Sequence, residues 1–237
     1  MKVTIATPMY GGMCTSGYTS SMINLFKKAA KVEGLELEFM YGVNEALVTR
    51  ARNMCANIFM KSDSTHLLFI DSDIEFNADE LIRMMLTNKD FVCGVYPKKN
   101  LNWDRISDAV RNGVPPDMIQ RATAEYLFIG SGDMTPDVDG LVKIDRVGTG
   151  MMMFSKKVLE TLNSHVKSFA LESPVLSNVK FGEKEEYKEY FFTSTDPVTN
   201  IFLHEDFTFC KLWRDIGGDI YGAPWVYLRH IGNHTFG

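Results

Sequence analysis

Two carboxylates separated by one residue, Asp71 and Asp73, end the stretch Thr65-His66-Leu67-Leu68-Phe69-Ile70-Asp71-Ser72-Asp73. The apolar run Leu67 to Ile70 has the length and composition of a buried strand. In an open α/β sheet, ligands bind outside the carboxyl ends of the strands, so this acidic pair would stand where side chains reach solvent. Carboxylates held that close repel unless positive charge lies between them, and the usual partner is a hard divalent cation that bridges to phosphate. The pattern therefore predicts a metal site for a phosphorylated ligand. A polar turn capping the next helix would spell the same three residues, so the rest of the chain has to support the reading.

Further groups with chemical capacity are spread along the chain. Arg52 shares the Val48 and Cys55 side of a periodic helix, and an arginine there needs a carboxylate or phosphate partner unless it snorkels at the helix edge. Gly148-Thr149-Gly150 precedes the apolar run Met151 to Phe154, and its glycines allow a ligand or another backbone to come close. Glu205 and Asp206 open a helix with the stripe Phe209, Cys210, Trp213 and Ile216, where acidic residues also favour the positive end of the helix dipole. His230 leaves a short strand near the C-terminal end of the sequence.

The elements that would position these groups alternate. Lys2 to Thr7 reads as a first strand ending in the loop Thr7-Pro8-Met9-Tyr10-Gly11-Gly12. A helix over about residues 19–32 carries Ile23, Phe26 and Ala30 on one face. A strand at Leu35 to Tyr41, a helix with Leu47, Ala51 and Ile58 inward, the Leu67 to Ile70 strand, a helix capped by Asn77, and a strand at Phe91 to Tyr96 follow. This order predicts a doubly wound, mostly parallel sheet with right-handed crossovers. Leu141 to Arg146 reads as an antiparallel edge and Trp225 to Leu228 as a last strand. Residues 100–140 give no firm assignment beyond a short strand at Tyr126 to Ile129, and 163–200 reads as a lid over a site.

Composition narrows the class. The 237 residues suffice for one sizeable core, the apolar fraction of 45% is ordinary, and the net charge of -5 gives no general pull toward nucleic acid. Cys14, Cys55, Cys93 and Cys210 are too scattered for a disulfide framework or zinc site and suit reduced thiols. No stretch of eighteen apolar residues occurs, so no integral membrane segment and a cytoplasmic location are expected.

Taken together, Ala51-Arg52-Asn53 on a helix, Phe69-Ile70-Asp71-Ser72-Asp73, Gly148-Thr149-Gly150, Glu205-Asp206 with Phe209-Cys210 and Trp213-Arg214, and Leu228-Arg229-His230-Ile231-Gly232 resemble the family 2-type glycosyltransferases of the GT-A fold, especially small stand-alone phage and bacterial forms. The resemblance runs along nearly the whole chain. It implies one GT-A-like domain over 1–237, with a nucleotide-binding half at 1–99 and an acceptor-binding, catalytic half with an antiparallel portion at 100–237. It implies that Thr7, Pro8, Tyr10, Arg52, Asp71, Ser72, Asp73 and Gly150 border a nucleoside-diphosphate sugar, UDP-linked by family expectation. Asp73, with Asp71 and His230, would hold a divalent metal, and an imidazole ligand favours Mn2+ over Mg2+. The catalytic base would be Asp206, with Glu205 beside it, and transfer to a hydroxyl acceptor would invert configuration.

Three other readings share many of these residues. A nucleotidyltransferase would use the same fold and metal carboxylates, although Gly11-Gly12 lacks the lysine-containing phosphate loop. A non-catalytic nucleotide-sugar-binding module would keep the donor site alone. The acceptor could also be a modified DNA base rather than a glycan or small molecule, with Lys98, Lys99, Arg105, Arg111 and Arg121 as a local basic surface.

Overall fold

The computed structural model describes residues 1–43, 45–170, 175–176, 179–180 and 186–233. Eight strands form the central sheet. They include β1 (Lys2–Met9), β2 (Glu36–Val43), β3 (His66–Ile70), β5 (Phe91–Gly94), β6 (Phe128–Gly130), β7 (Val142–Val147), β8 (Met151–Ser155) and the strand Ile220–Ala223. A short β4 (Ile74–Phe76) lies outside this sheet and pairs antiparallel with Leu228–His230. The spatial order is β2, β1, β3, β8, β5, Ile220–Ala223, β7, β6. Only β7 and β8 run against the others. The GT-A-like, mostly parallel sheet with an antiparallel portion is therefore present, with one difference from a simple alternation. β8 inserts antiparallel between β3 and β5, because its run Met151 to Phe154 is apolar on both faces and can be buried between two strands.

Period-two alternation sends neighbouring side chains of β3 to opposite layers. Leu68 and Ile70 join a core with α1 (Ser16–Ala29) and α3 (Ala78–Leu86). Leu67 and Phe69 join the other, with α2 (Val48–Lys61), α6 (Lys156–Leu162) and α7 (Glu205–Asp215). The face of α1 differs from the sequence expectation. Tyr18, Met22, Leu25 and Ala29 are buried, whereas Ile23 is exposed and Phe26 only partly buried. Two apolar registers compete on this helix, and the longer one takes the sheet. Thr15 caps the helix by accepting the Tyr18 N–H.

Residues 100–140 resolve into two helices that sequence periodicity left unassigned, α4 (Trp103–Arg111) and α5 (Pro116–Thr123). Their excursion is pinched at its neck, where Lys98 N donates to Glu125 O at 2.7 Å and Leu127 N to Tyr96 O at 3.2 Å. The expected strand at 225–228 forms later, at Leu228–His230. Part of the expected lid is core instead. Asn53 and Asn57 on α2 each grip a backbone amide, of Phe191 and Lys188 respectively, and Tyr187, Tyr190 and Phe191 are buried. Those asparagines supply the backbone partners that a buried loop otherwise lacks. Residues 171–174, 177–178 and 181–185 of that expectation lie outside the described residues. Cys55, Cys93 and Cys210 are buried and free, and Cys14 is exposed and free. Among the described residues no helix is long and apolar enough to cross a membrane.

Candidate functional site

The carboxyl end of β3 delivers Asp71 to a cavity of about 270 Å³ lined by Pro8, Tyr10, Arg52, Asp71, Ser72, Asp73 and His230 among others. The strand end is fixed by backbone bonds. Asp71 N donates to Gly150 O at 3.1 Å, and Thr15 N donates to Ser72 O at 2.9 Å. Thr7 is fully buried beneath the cavity, its hydroxyl 2.6 Å from that of Tyr18, so it supports the wall without lining it. The space that Gly148 and Gly150 leave is filled by Tyr96. A Cβ on Gly150 would lie 2.6 Å from that ring, and one on Gly148 2.0 Å from its hydroxyl. Gly150 thus contributes its carbonyl and its lack of a side chain, and it is not part of the cavity lining.

Arg52, only 4% exposed, joins two distant segments. Its guanidinium pairs with Asp71 at 3.3 Å and with Glu205 at the start of α7. Its Nε is buried without a hydrogen-bond partner among the described residues. Glu205 is thereby committed to an ion pair. Its neighbour Asp206 is not, and its Oδ1 accepts the Phe207 N–H at 2.7 Å. Burial, seconded by the negative charge of Glu205, pushes the Asp206 carboxyl up to about 6 against the opposing pull of Phe207 N–H, Arg52 and His204. A carboxylate with that affinity for protons exchanges them near neutrality, as a general base must.

Asp73 has a different environment. Lys99 pairs with its Oδ2, and His230 Nε2 lies 3.4 Å from its Oδ1. Burial would raise this carboxyl, but His230 and Lys99 outweigh it and hold it below the ordinary range. His230 Nδ1 is 2.9 Å from the Pro97 carbonyl, which can only accept, so Nδ1 carries a proton and Nε2 is the ring atom turned toward Asp73. The ring is steadied by an edge contact with Tyr96, centroids 5.3 Å apart. Asp73 Oδ1 is buried and takes no hydrogen bond. Asp73 already has the Lys99 ammonium as a cationic partner, and His230 Nε2 stands beside its other oxygen on the same cavity wall. Asp71, the third expected ligand, faces Arg52, and among the described residues no three His, Cys, Asp or Glu side chains converge as a metal set.

Sequence reasoning missed Lys99 as a partner of Asp73 and Tyr96 as the filler of the glycine space. Only the placement of Pro97-Lys98-Lys99 immediately after a strand could have drawn attention to them.

No family model matches this chain, and no curated protein does. Among solved structures, the chain matches A197 from STIV with a TM-score of 0.51 and 13% identity, covering 98% of this chain and 87% of that one. It matches GalNAc-T7, solved with UDP, GalNAc and Mn2+, at 0.49 and 10%, covering 98% of this chain and 43% of that one. The inositol-1-phosphate CTP transferase from T. maritima matches at 0.46 and 10%, with coverages of 97% and 88%. At such identities likeness concerns the fold. The fold is GT-A-like, as the sequence resemblance implies.

Proposed function

We propose that the protein is a metal-dependent glycosyltransferase that takes a nucleoside-diphosphate sugar, UDP-linked in our reading, and passes the sugar to a hydroxyl acceptor. The observation that carries this is Asp73 and His230 side by side on the cavity wall, with a buried Asp73 oxygen that takes no hydrogen bond. Asp73 and His230 would hold the ion, Mn2+ by the imidazole criterion. A divalent cation held there would supply positive charge against the negative charge developing on the departing diphosphate. Arg52, with its unpaired Nε, keeps Asp71 and Glu205 in place at the cavity wall. Asp206 removes the proton from the acceptor hydroxyl, which attacks the anomeric carbon opposite the leaving group and inverts configuration.

Of the five basic residues behind the DNA-base variant, three already have carboxylate partners. Lys98 pairs with Glu125 at 3.7 Å, Arg111 with Asp108 at 3.2 Å, and Lys99 with Asp73.

Thermal unfolding with UDP, Mn2+, both, and both plus EDTA tests the donor site. A ligand at 100 times its dissociation constant stabilises by about 2.7 kcal/mol, a shift of about 5–11 °C for this size of chain. The shift should need both components and vanish in Asp73→Ala. No shift with any nucleoside diphosphate and metal would remove the donor-site reading.

A further inference from the structure

A second cavity, of about 770 Å³, opens between the α4–α5 excursion and the segment 227–233, and His230 belongs to the walls of both cavities. We propose that this cavity binds a saccharide carrying one phosphate or carboxylate group, with Arg121 contacting the anion and Trp103 the face of the sugar ring. Calling that saccharide the acceptor rests on the glycosyltransferase reading above; the binding itself does not.

The charge pattern selects the ligand. Among the described residues four lysines and arginines line the cavity, Lys98, Lys99, Arg121 and Arg229, and no Asp or Glu does. Three of the four have carboxylate partners from outside the lining, namely Glu125 for Lys98, Asp73 for Lys99 and Glu75 for Arg229 at 3.0 Å. Arg121, on the last turn of α5, has no carboxylate partner among the described residues and rests over the Tyr227 ring, 5.3 Å from its centroid. A guanidinium held against an aromatic ring keeps N–H groups for a planar or tetrahedral oxyanion. One uncompensated cation matches one anionic group. A polyanion such as nucleic acid would need many such contacts along its backbone.

The rest of the wall suits a sugar. Trp103 opens α4 and is 65% exposed, an aromatic surface on which the C–H face of a pyranose can lie. The amides of Asn100, Asn102 and Gln120 are beside it for hydroxyl groups. Asn100 and Asn102 are oriented by Glu125, which accepts from both at 3.0 and 3.3 Å. The volume lies within the range of about 300–1,000 Å³ usual for small-molecule sites. The shared His230 wall sets a ligand here beside the cavity assigned to the donor.

The test is calorimetric titration with glucose 6-phosphate, glucuronate, glucose and inorganic phosphate, with tryptophan emission followed in parallel. The proteins are wild type, Arg121→Met and Trp103→Phe, each first checked for native unfolding. Both anionic sugars should bind, and at least about tenfold more tightly than glucose or phosphate alone, since a charge-assisted contact and a ring contact each contribute about that factor. Arg121→Met should lose about tenfold or more, and Trp103→Phe should remove the emission change. Equal binding of glucose and glucose 6-phosphate, equal binding of phosphate alone, an unaffected Arg121→Met, or no binding of either anionic sugar would overturn the proposal. A failed UDP and Mn2+ shift with anionic-sugar binding intact would sink the donor reading and leave this cavity assignment standing; the reverse result would do the opposite.

Discussion

The chain carries two acidic pairs that look interchangeable in sequence and behave oppositely in place. Asp71 and Asp73 follow a strand, whereas Glu205 and Asp206 open a helix. Arg52 engages one member of each, Asp71 and Glu205, and leaves the other to its surroundings. Asp73 is left beside Lys99 and His230 and is held ionised below the usual range. Asp206 is left in a nearly dry place next to a like charge and rises to about 6. One buried guanidinium therefore takes two of the four carboxylates as fixed partners and leaves one charged beside Lys99 and His230 and one that takes up a proton near pH 6. Neither pair shows that division of labour when taken alone.

The contrast can be broken or sharpened experimentally. The largest effect should come from Asp206→Asn, which keeps the shape and removes the base. Transfer should fall by about 10²–10⁴ while the UDP and Mn2+ thermal shift remains, and a variant with near-normal turnover would reassign the base to another group. Arg52→Met should come next, costing about 3–5 kcal/mol in denaturant unfolding because two carboxylates lose a buried partner. Adding Glu205→Gln to that variant should recover part of the loss, and no recovery would mean that Arg52 is not the sorter. Third is the pH dependence assigned to Asp206. Between pH about 4 and 6 the folded protein holds a proton there that the unfolded chain has released, so this group makes stability fall as pH rises across that window, by up to about 3 kcal/mol. Comparing unfolding curves of wild type and Asp206→Asn isolates that slope, and identical slopes would contradict it. The rate of transfer should move the other way, rising up to about pH 6 as the base ionises. The smallest effect, about 1–3 kcal/mol, is expected for Gly150→Ala, whose new methyl group would press on the Tyr96 ring and disturb the Asp71 end of the comparison. Its unfolding midpoint relative to wild type measures that cost.

What the sequence disclosed follows from where the constraints are local. The strand before Asp71, the start of α7 and the arginine on the inner side of α2 are set by short apolar patterns, and each is where the residue spacing puts it. The strand Ile220–Ala223 was not legible, because four residues containing a glycine give no alternation to detect, and its central position is decided by β5 and β7 on either side. The α4–α5 excursion is similarly opaque. Its helices span only nine and eight residues and bury only Ala109 and Thr123, so their apolar positions, Trp103, Ile106 and Val110 among them, form too short a pattern to be told from a loop. At the site, the choice between Glu205 and Asp206 needed Arg52 in three dimensions, since the contact spans 153 positions. Lys99 and Tyr96 acquire their parts only through the turn that returns them toward Asp73 and Gly150.

The insertion of β8 between β3 and β5 has a consequence for how the protein is made. Synthesis delivers β3 and then β5, two short strands whose residues end up wholly buried, well before the strand that separates them. At roughly 5–20 residues per second the ribosome leaves that slot empty for several seconds. During that interval the nascent chain carries two unpaired apolar edges facing a common gap, the geometry most prone to capture a neighbouring chain. Met151–Ser155 closes that gap, while the other edge of β5 stays open until Ile220–Ala223 has been made.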